Sequence, residues 1–304
     1  MFLAAAGAAG FASRAALARS HGMMLHLSCG AVGVKATQPE AIAYAVKYGF
    51  DGVDADAKFL AGLSDSDLKR LLSEMKSKNV GWAIAGMPVD FRKDDAAFAE
   101  SFKPFPASVA ALKRAGVERM TTWIAPAHAE LPYVANFKTH ARRLREVAKA
   151  LEGEGMRFGL EYVGPRTSLV SRKYPFIHTM AEMKELLAEI GTSNMGFVLD
   201  SWHWYTAGDT KADLLTLKAK DVVSVDLNDA PAGIPVEQQL DGKRELPAST
   251  GVIDVKGFLG ALKEIGYAGP VRVEPFNDAV RKLAPDQALS ATKAALDKAF
   301  ATVG

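Results

Sequence analysis

One unit recurs eight times along this chain and restricts its fold more than any other feature. From Met24 onward a short apolar run is followed by a polar loop and then an amphipathic helix. The runs cover residues 25–29, 52–55, 80–84, 120–124, 158–163, 195–199, 222–227 and 271–275. Short apolar runs bounded by turn residues read as parallel strands covered on both faces, because a half-exposed strand would alternate. Between them, Leu68, Leu71, Leu72 and Met75 fall at i, i+3, i+4 and i+7 after Ser64, a cap residue. Leu144, Val147, Ala148 and Leu151 repeat that spacing, as do Met183, Leu186, Leu187 and Ile190 behind a Thr179/Glu182 capping box. Gly49, Gly191 and Gly266 read as helix stops.

Strands alternating with helices make right-handed βαβ units on a parallel sheet. Eight such units predict an α/β chain folded as a single (β/α)8 TIM barrel. A doubly wound open sheet is the alternative. It usually brings a glycine-rich phosphate loop after its first strand, and Gly30-Ala31-Val32-Gly33 has no third glycine in register. Residues 21–304 read as one domain, with the longest connection, residues 229–254, suited to a lid or substrate loop. Residues 1–20 are set apart as a signal-like or flexible extension. Residues 2–18 are apolar and rich in small side chains, too short for the ~20 residues that span a bilayer. The chain as it stands reads as cytoplasmic, and a basic start upstream would turn this stretch into a twin-arginine-type export signal.

The charge balance points away from polyanions: 37 Lys and Arg against 35 Asp and Glu leave +2, with no block of either sign. No nucleic acid or membrane partner is expected, whereas exposed helix faces leave room for a homo-oligomer. The one cysteine, Cys29, excludes an internal disulfide and a thiolate metal cluster, and reads as a buried strand residue.

In a barrel the chemistry sits at the carboxyl ends of the strands. Glu161, Asp200, Asp226 and Glu274 each stand inside or just after one of the last four runs. Any one of them reads equally as a buried ion-pair partner. Four at one end of a sheet would repel strongly in a low-dielectric cavity. Few basic residues are apparent beside them, so a divalent cation is the expected counter-charge. Oxygen donors favour Mg²⁺, Mn²⁺ or Ca²⁺.

With Glu161 in GLEYVGP, Asp200 and His203 in DSWHW, Asp226 and Asp229 in DLNDAP, and Glu274 in VEPF, the chain resembles the sugar phosphate isomerase/epimerase superfamily, the xylose isomerase-like TIM barrels. The resemblance runs from about residue 25 to 283. It implies one metal ion, Mn²⁺ or Mg²⁺ for an all-oxygen set, on Glu161, Asp200, Asp226 and Glu274. The ketose 3-epimerase branch has histidine where this chain has Asp226, which leaves open a set in which His203 substitutes. The resemblance also implies substrate contacts from His203 and from Arg244 in DGKRELP, with Asn228 and Asp229 ordering the loop. Arg166 reads as a substrate contact or a solvated arginine, and His26 as pocket floor or a satisfied core histidine. Among the four tryptophans, Trp123 and Trp202 are the preferred platforms for a sugar ring.

The implied activity is metal-dependent isomerisation or epimerisation of a ketose or keto-sugar through an enediolate, with Glu161 and Glu274 as paired acid and base. The alternative is a metal-dependent lyase that cleaves 3-keto-glycosides by β-elimination. A nuclease reading needs a histidine-rich multi-metal site and a basic groove, for which six histidines and a charge of +2 give little support. A non-catalytic sugar-binding barrel is the remaining expectation.

Overall fold

A computed structural model of the chain describes residues 22–304. The signal-like extension and its boundary at residue 20 lie outside the described residues. The strands are β1 (Met24–Leu27), β2 (Gly52–Val53), β3 (Gly81–Trp82), β4 (Ala85–Gly86), β5 (Arg119–Trp123), β6 (Ala127–His128), β7 (Arg157–Glu161), β8 (Tyr174–Pro175), β9 (Met195–Asp200), β10 (Val222–Asp226) and β11 (Pro270–Arg272). Nine of them form one sheet in the order β3-β2-β1-β11-β10-β9-β7-β5-β4. Every pairing in it is parallel. β6 and β8 make a separate antiparallel ribbon.

The eight apolar runs thus appear as nine pairing segments, because the run at 80–84 is shared between two neighbours. Its first part, β3, pairs with β2, and β4 just beyond it pairs with β5. Between them Ala83 N–H donates to Val53 and the Ile84 carbonyl accepts from Ala55. The two end strands of the order are therefore consecutive in the chain. Strand ends differ by a few residues from the apolar runs. Cys29 is buried but lies two residues beyond β1, at the start of a short 3-10 turn, so it is not a strand residue.

The helical stripes face the sheet as expected. Leu144, Val147, Ala148 and Leu151, on the helix Tyr133–Gly153, have no exposed surface at all. Full burial of a leucine contributes ~1.5–3 kcal/mol, so this stripe alone fixes the helix to the sheet. The helix Asp65–Ser77 starts at Ser64, whose hydroxyl accepts from Asp67 N–H, and Met180–Ile190 starts at the Thr179/Glu182 capping box. Gly49 and Gly191 end their helices at φ 73° and 72°, where a side chain would be strained.

Parallel pairing brings the carboxyl ends of the strands to one rim. Trp123 stands opposite Glu161, and Asp226 lies in register with Asp200 on one side and Arg272 on the other. Beneath that rim the interior is filled. A Cβ on Gly159 would lie 2.9 Å from Val223 Cβ and 3.0 Å from Val198 Cγ2, so glycine is what lets β7 pack there. No helix among the described residues is long and apolar enough to cross a membrane.

Candidate active site

A cavity of about 760 Å³ opens at the carboxyl rim, with Glu161, His203, Asp241, Arg244, Arg272 and Glu274 in its wall. Glu161, Asp200, Asp226 and Glu274 bring one oxygen each within 4.8 Å of one another. The four carboxylates singled out in the sequence therefore converge.

Each is placed by local structure. Asp200 ends β9 and caps the helix Ser201–Ala207, its Oδ1 accepting from Trp202 N–H at 2.8 Å and from Asn228 Nδ2 at 3.0 Å. Asn228 Oδ1 in turn accepts from Glu274 N–H at 3.1 Å, which ties β9, β10 and the end of β11 together. Asp229 accepts from the backbone N–H groups of Thr250, Gly251 and Ile253 and so pins the far end of the long loop. That loop contributes Asp241 and Arg244 to the cavity wall.

The counter-charges differ from the sequence expectation of few basic neighbours. Arg272 grips Asp226 with both oxygens, Nε to Oδ1 at 2.6 Å and Nη2 to Oδ2 at 2.8 Å, and reaches Glu274 Oε1 at 3.2 Å. Arg244 bonds Asp200 Oδ2 at 2.7 Å and Asp241 Oδ1 at 2.8 Å. Its Nη1 also stands 3.5 Å from Glu274 Oε2. The four carboxylates still outnumber these two guanidiniums, and Asp241, already on Arg244, adds to the excess. Glu161 Oε1 is buried with no hydrogen-bond partner. An acidic excess with one orphaned inward oxygen suits a divalent cation, so the residues can hold the ion expected here.

The electrostatics follow from burial. Loss of water, then the neighbouring Asp226, Glu274 and Asp200, raise the Glu161 pKa well above the carboxylate range. Asp200 is pushed up to about 7 by burial, with Arg244 opposing. Glu274 is raised by burial too, but Arg272 and Arg244 pull against it. His203 is pushed down to about 3 by burial and then by Arg244, so its ring is neutral. Its Nδ1 accepts from Gly164 N–H at 3.1 Å, and its Nε2 lies 3.2 Å from Arg244 Nη2. Nε2 also faces Glu161 and Asp200, at 3.9 and 3.8 Å. His203 also forms a second candidate set with Glu161 and Asp200, their ligand atoms lying within 4.8 Å of one another.

The remaining sequence candidates divide. Arg244 lines the cavity but is 2% exposed, its guanidinium committed to wall carboxylates and the Glu274 carbonyl. Trp123 lines the cavity and is 46% exposed. Trp202 is fully buried and off the cavity wall, so it cannot stack on a bound ring, and Arg244 lies over it at 5.7 Å. It is a core residue because the cap at Asp200 turns it inward. Arg166 is exposed and also off the cavity wall. His26 is buried, with Nε2 2.8 Å from Asp54 Oδ1. Asp54 is the group on the cavity wall, and His26 supports it from behind. Sequence reasoning missed Arg272, Asp241, Asp54, Arg92 and Arg172. Arg272 had a signal, since it stands two residues before Glu274 in extended backbone and so shares its side.

A parallel barrel with acidic side chains gathered at its carboxyl rim defines the class of protein. The chain belongs to the xylose isomerase-like TIM barrel family, which it matches over residues 42–299. Among curated relatives it is 29% identical over 151 residues to an inosose isomerase of Bacillus subtilis (strain 168), covering 49% of this chain and 51% of that one. It thus spans about half the length of that relative. An inosose isomerase of Bacillus velezensis (strain DSM 23117) matches at 24% over 251 residues, 81% of this chain and 86% of that one. Among solved structures, a xylose isomerase domain protein from Alicyclobacillus acidocaldarius superposes with a TM-score of 0.78 at 29% identity, over 92% of this chain and 98% of the other. The IolI protein with a bound zinc atom superposes at 0.76 and 22% identity, over 93% and 99%.

Proposed function

We propose that this chain is a metal-dependent isomerase or epimerase of a ketose or related keto-polyol, working by removal and return of the proton next to a carbonyl. The fold is read as one barrel of eight βα units, β3 and β4 counting as its third strand. The observation that carries the proposal is buried Glu161, whose Oε1 has no hydrogen-bond partner and which brings an oxygen within 4.8 Å of oxygens from Asp200, Asp226 and Glu274. Both comparisons with inosose isomerases support the reading.

Glu161, Asp200, Asp226 and Glu274 would hold the ion, with Asp226 also bonded to Arg272 and Asp200 to Arg244. A divalent ion, Mn²⁺ or Mg²⁺ for such oxygens, supplies Lewis-acid polarisation of the substrate carbonyl. The chain's own groups handle the proton. One of Glu161 and Glu274 takes it from the carbon, and the other returns one. Return to the same carbon gives the epimer, and return to its neighbour gives the aldose or ketose isomer. His203 contacts a substrate oxygen, and Trp123 offers its exposed ring to the sugar face.

The test is a metal-loaded screen of ketoses, inososes and 3-keto-glycosides in D₂O, followed by NMR. Deuterium should enter the carbon beside the carbonyl, and Glu161→Gln should slow entry by about 10²-fold or more. A Glu161→Gln protein that keeps its metal and turns over at a near-normal rate overturns the proposal.

A further inference from the structure

Away from the carboxylate cluster, the same cavity has a second kind of wall, built by the loops after β4 and β7. Arg92 lies on the first and Arg172 on the second, and both line the cavity with Trp123, Ser168 and Ser171. Arg92 is held rigidly. Its guanidinium lies between the rings of Phe91 and Trp123, at 4.3 and 4.1 Å from their centres. Nη2 donates to Thr122 Oγ1 at 2.9 Å, and Nη2 and Nε both reach the Trp123 carbonyl. Stacking and three bonds to neutral acceptors orient the group without neutralising it. Among the described residues no carboxylate pairs with Arg92, because Asp90, two residues back, is taken by Lys93 at 2.8 Å. Its Nη1 makes no hydrogen bond among the described residues. Arg172 is exposed and has neither an ion pair nor a hydrogen bond among the described residues.

The contrast with the rest of the site decides the reading. Arg244 and Arg272 are each spent on carboxylates of the wall, whereas Arg92, which feels Asp90 and Glu161 only at longer range, and Arg172 bring positive charge to the cavity without an ion pair among the described residues. A half-buried guanidinium fixed in one orientation is suited to planar oxyanions. Neutral sugars need no such group. No glycine-rich loop accompanies the pair, so the site resembles a carboxylate clamp more than a phosphate cradle.

We infer that Arg92 and Arg172 form a subsite for an anionic oxygen group on the substrate, so that the preferred substrate is a keto-sugar acid, its carbonyl end toward Glu161 and Glu274. This rests on the isomerase reading for the chemistry at the other end, but the anion site is testable without turnover. Isothermal titration calorimetry of the metal-loaded protein with D-gluconate, D-sorbitol and D-sorbitol 6-phosphate compares a carboxylate, a neutral polyol and a phosphate of similar length. Gluconate should bind at least tenfold more tightly than sorbitol, with the preference weakened by added salt. Arg92→Gln and Arg172→Gln should each cut the gluconate-to-sorbitol ratio several-fold, and the double variant should remove it. Circular dichroism and a retained metal stoichiometry separate this from misfolding. Preference for the phosphate over gluconate keeps the anion site and replaces the carboxylate by a phosphate as its occupant. Equal binding of all three, or a preference unchanged in the double variant, overturns the inference. Anion-selective binding without deuterium exchange in any keto-sugar overturns the isomerase reading alone.

Discussion

Replacing Arg272 by methionine removes the cation that holds Asp226, a carboxylate with no solvent exposure. Both Asp226 oxygens lose their partner, since Nε and Nη2 are what they bond, and Glu274 loses its contact at 3.2 Å. Breaking one side of a buried pair typically costs about 3–5 kcal/mol, because a charge is left stranded. With ~2–4 °C of melting temperature per kcal/mol for chains of comparable size, the drop is on the order of 10 °C. The double variant Asp226→Asn/Arg272→Met removes both charges and should recover most of that loss, giving a coupling energy of about 2–3 kcal/mol. Divalent metal adds a second readout. A cation in the cluster can take over from the missing guanidinium, so Mn²⁺ should raise the melting temperature of Arg272→Met more than that of the wild type. Urea unfolding and calorimetry, each with and without Mn²⁺, provide the measurements. An Arg272→Met protein within about 1 kcal/mol of the wild type, or a double variant whose loss is the sum of its parts, refutes the reasoning.

Three further outcomes follow from the same geometry. Glu161 has a folded-state pKa raised by burial and then by its acidic neighbours, so its ionisation opposes folding and metal-free stability falls as pH rises above its unfolded value. Metal-free Glu161→Gln should therefore unfold at higher urea than the wild type at pH 8, and a lower midpoint would contradict this. His140 is pushed down to about 4 by burial, with Arg92, Arg143 and His128 adding to it against a hydrogen bond to Asn136. The unfolded chain takes up that proton first, so stability should fall by on the order of 3 kcal/mol between pH 6.5 and about 4, and His140→Phe should flatten the slope in a urea series. A Cβ on Gly164 would collide with the His203 carbonyl, and the Gly164 N–H donates to His203 Nδ1. Gly164→Ala should cost about 1–3 kcal/mol and slow deuterium exchange, and an unchanged melting curve with unchanged exchange would show that the contact relaxes freely.

The barrel was legible because its signals are local and repeated. Apolar runs mark the strands, and spacings such as Leu144 to Leu151 mark the helix faces. The break within residues 81–86 was not, since that stretch divides its pairing between two neighbours and only the tertiary structure tells it when to switch. Glu161, Asp200, Asp226 and Glu274 were found because a carboxylate ending an apolar run is conspicuous. Their arginines were not. Arg272 is hidden in an apolar run that pattern reading assigns to the core, and Arg92 and Arg172 sit on loops without period. Trp202 and Arg166 were placed by their proximity to motifs, whereas a helix cap and a loop path decide which way they face. The aspartate at 226 is the instructive case: in the sequence it reads as one more acid of the cluster, and only the structure shows both its oxygens bonded to Arg272.

Titration of metal-free protein with Mn²⁺, followed by electron paramagnetic resonance and calorimetry, tests the central claim most directly. One ion per chain should bind, its affinity falling at least tenfold in Glu161→Gln while Asp226→Asn, whose oxygens belong to Arg272, loses less. Failure of the wild type to bind any ion at millimolar Mn²⁺ would mean that the arginines alone balance the cluster, and the proposed chemistry would have no metal to work with.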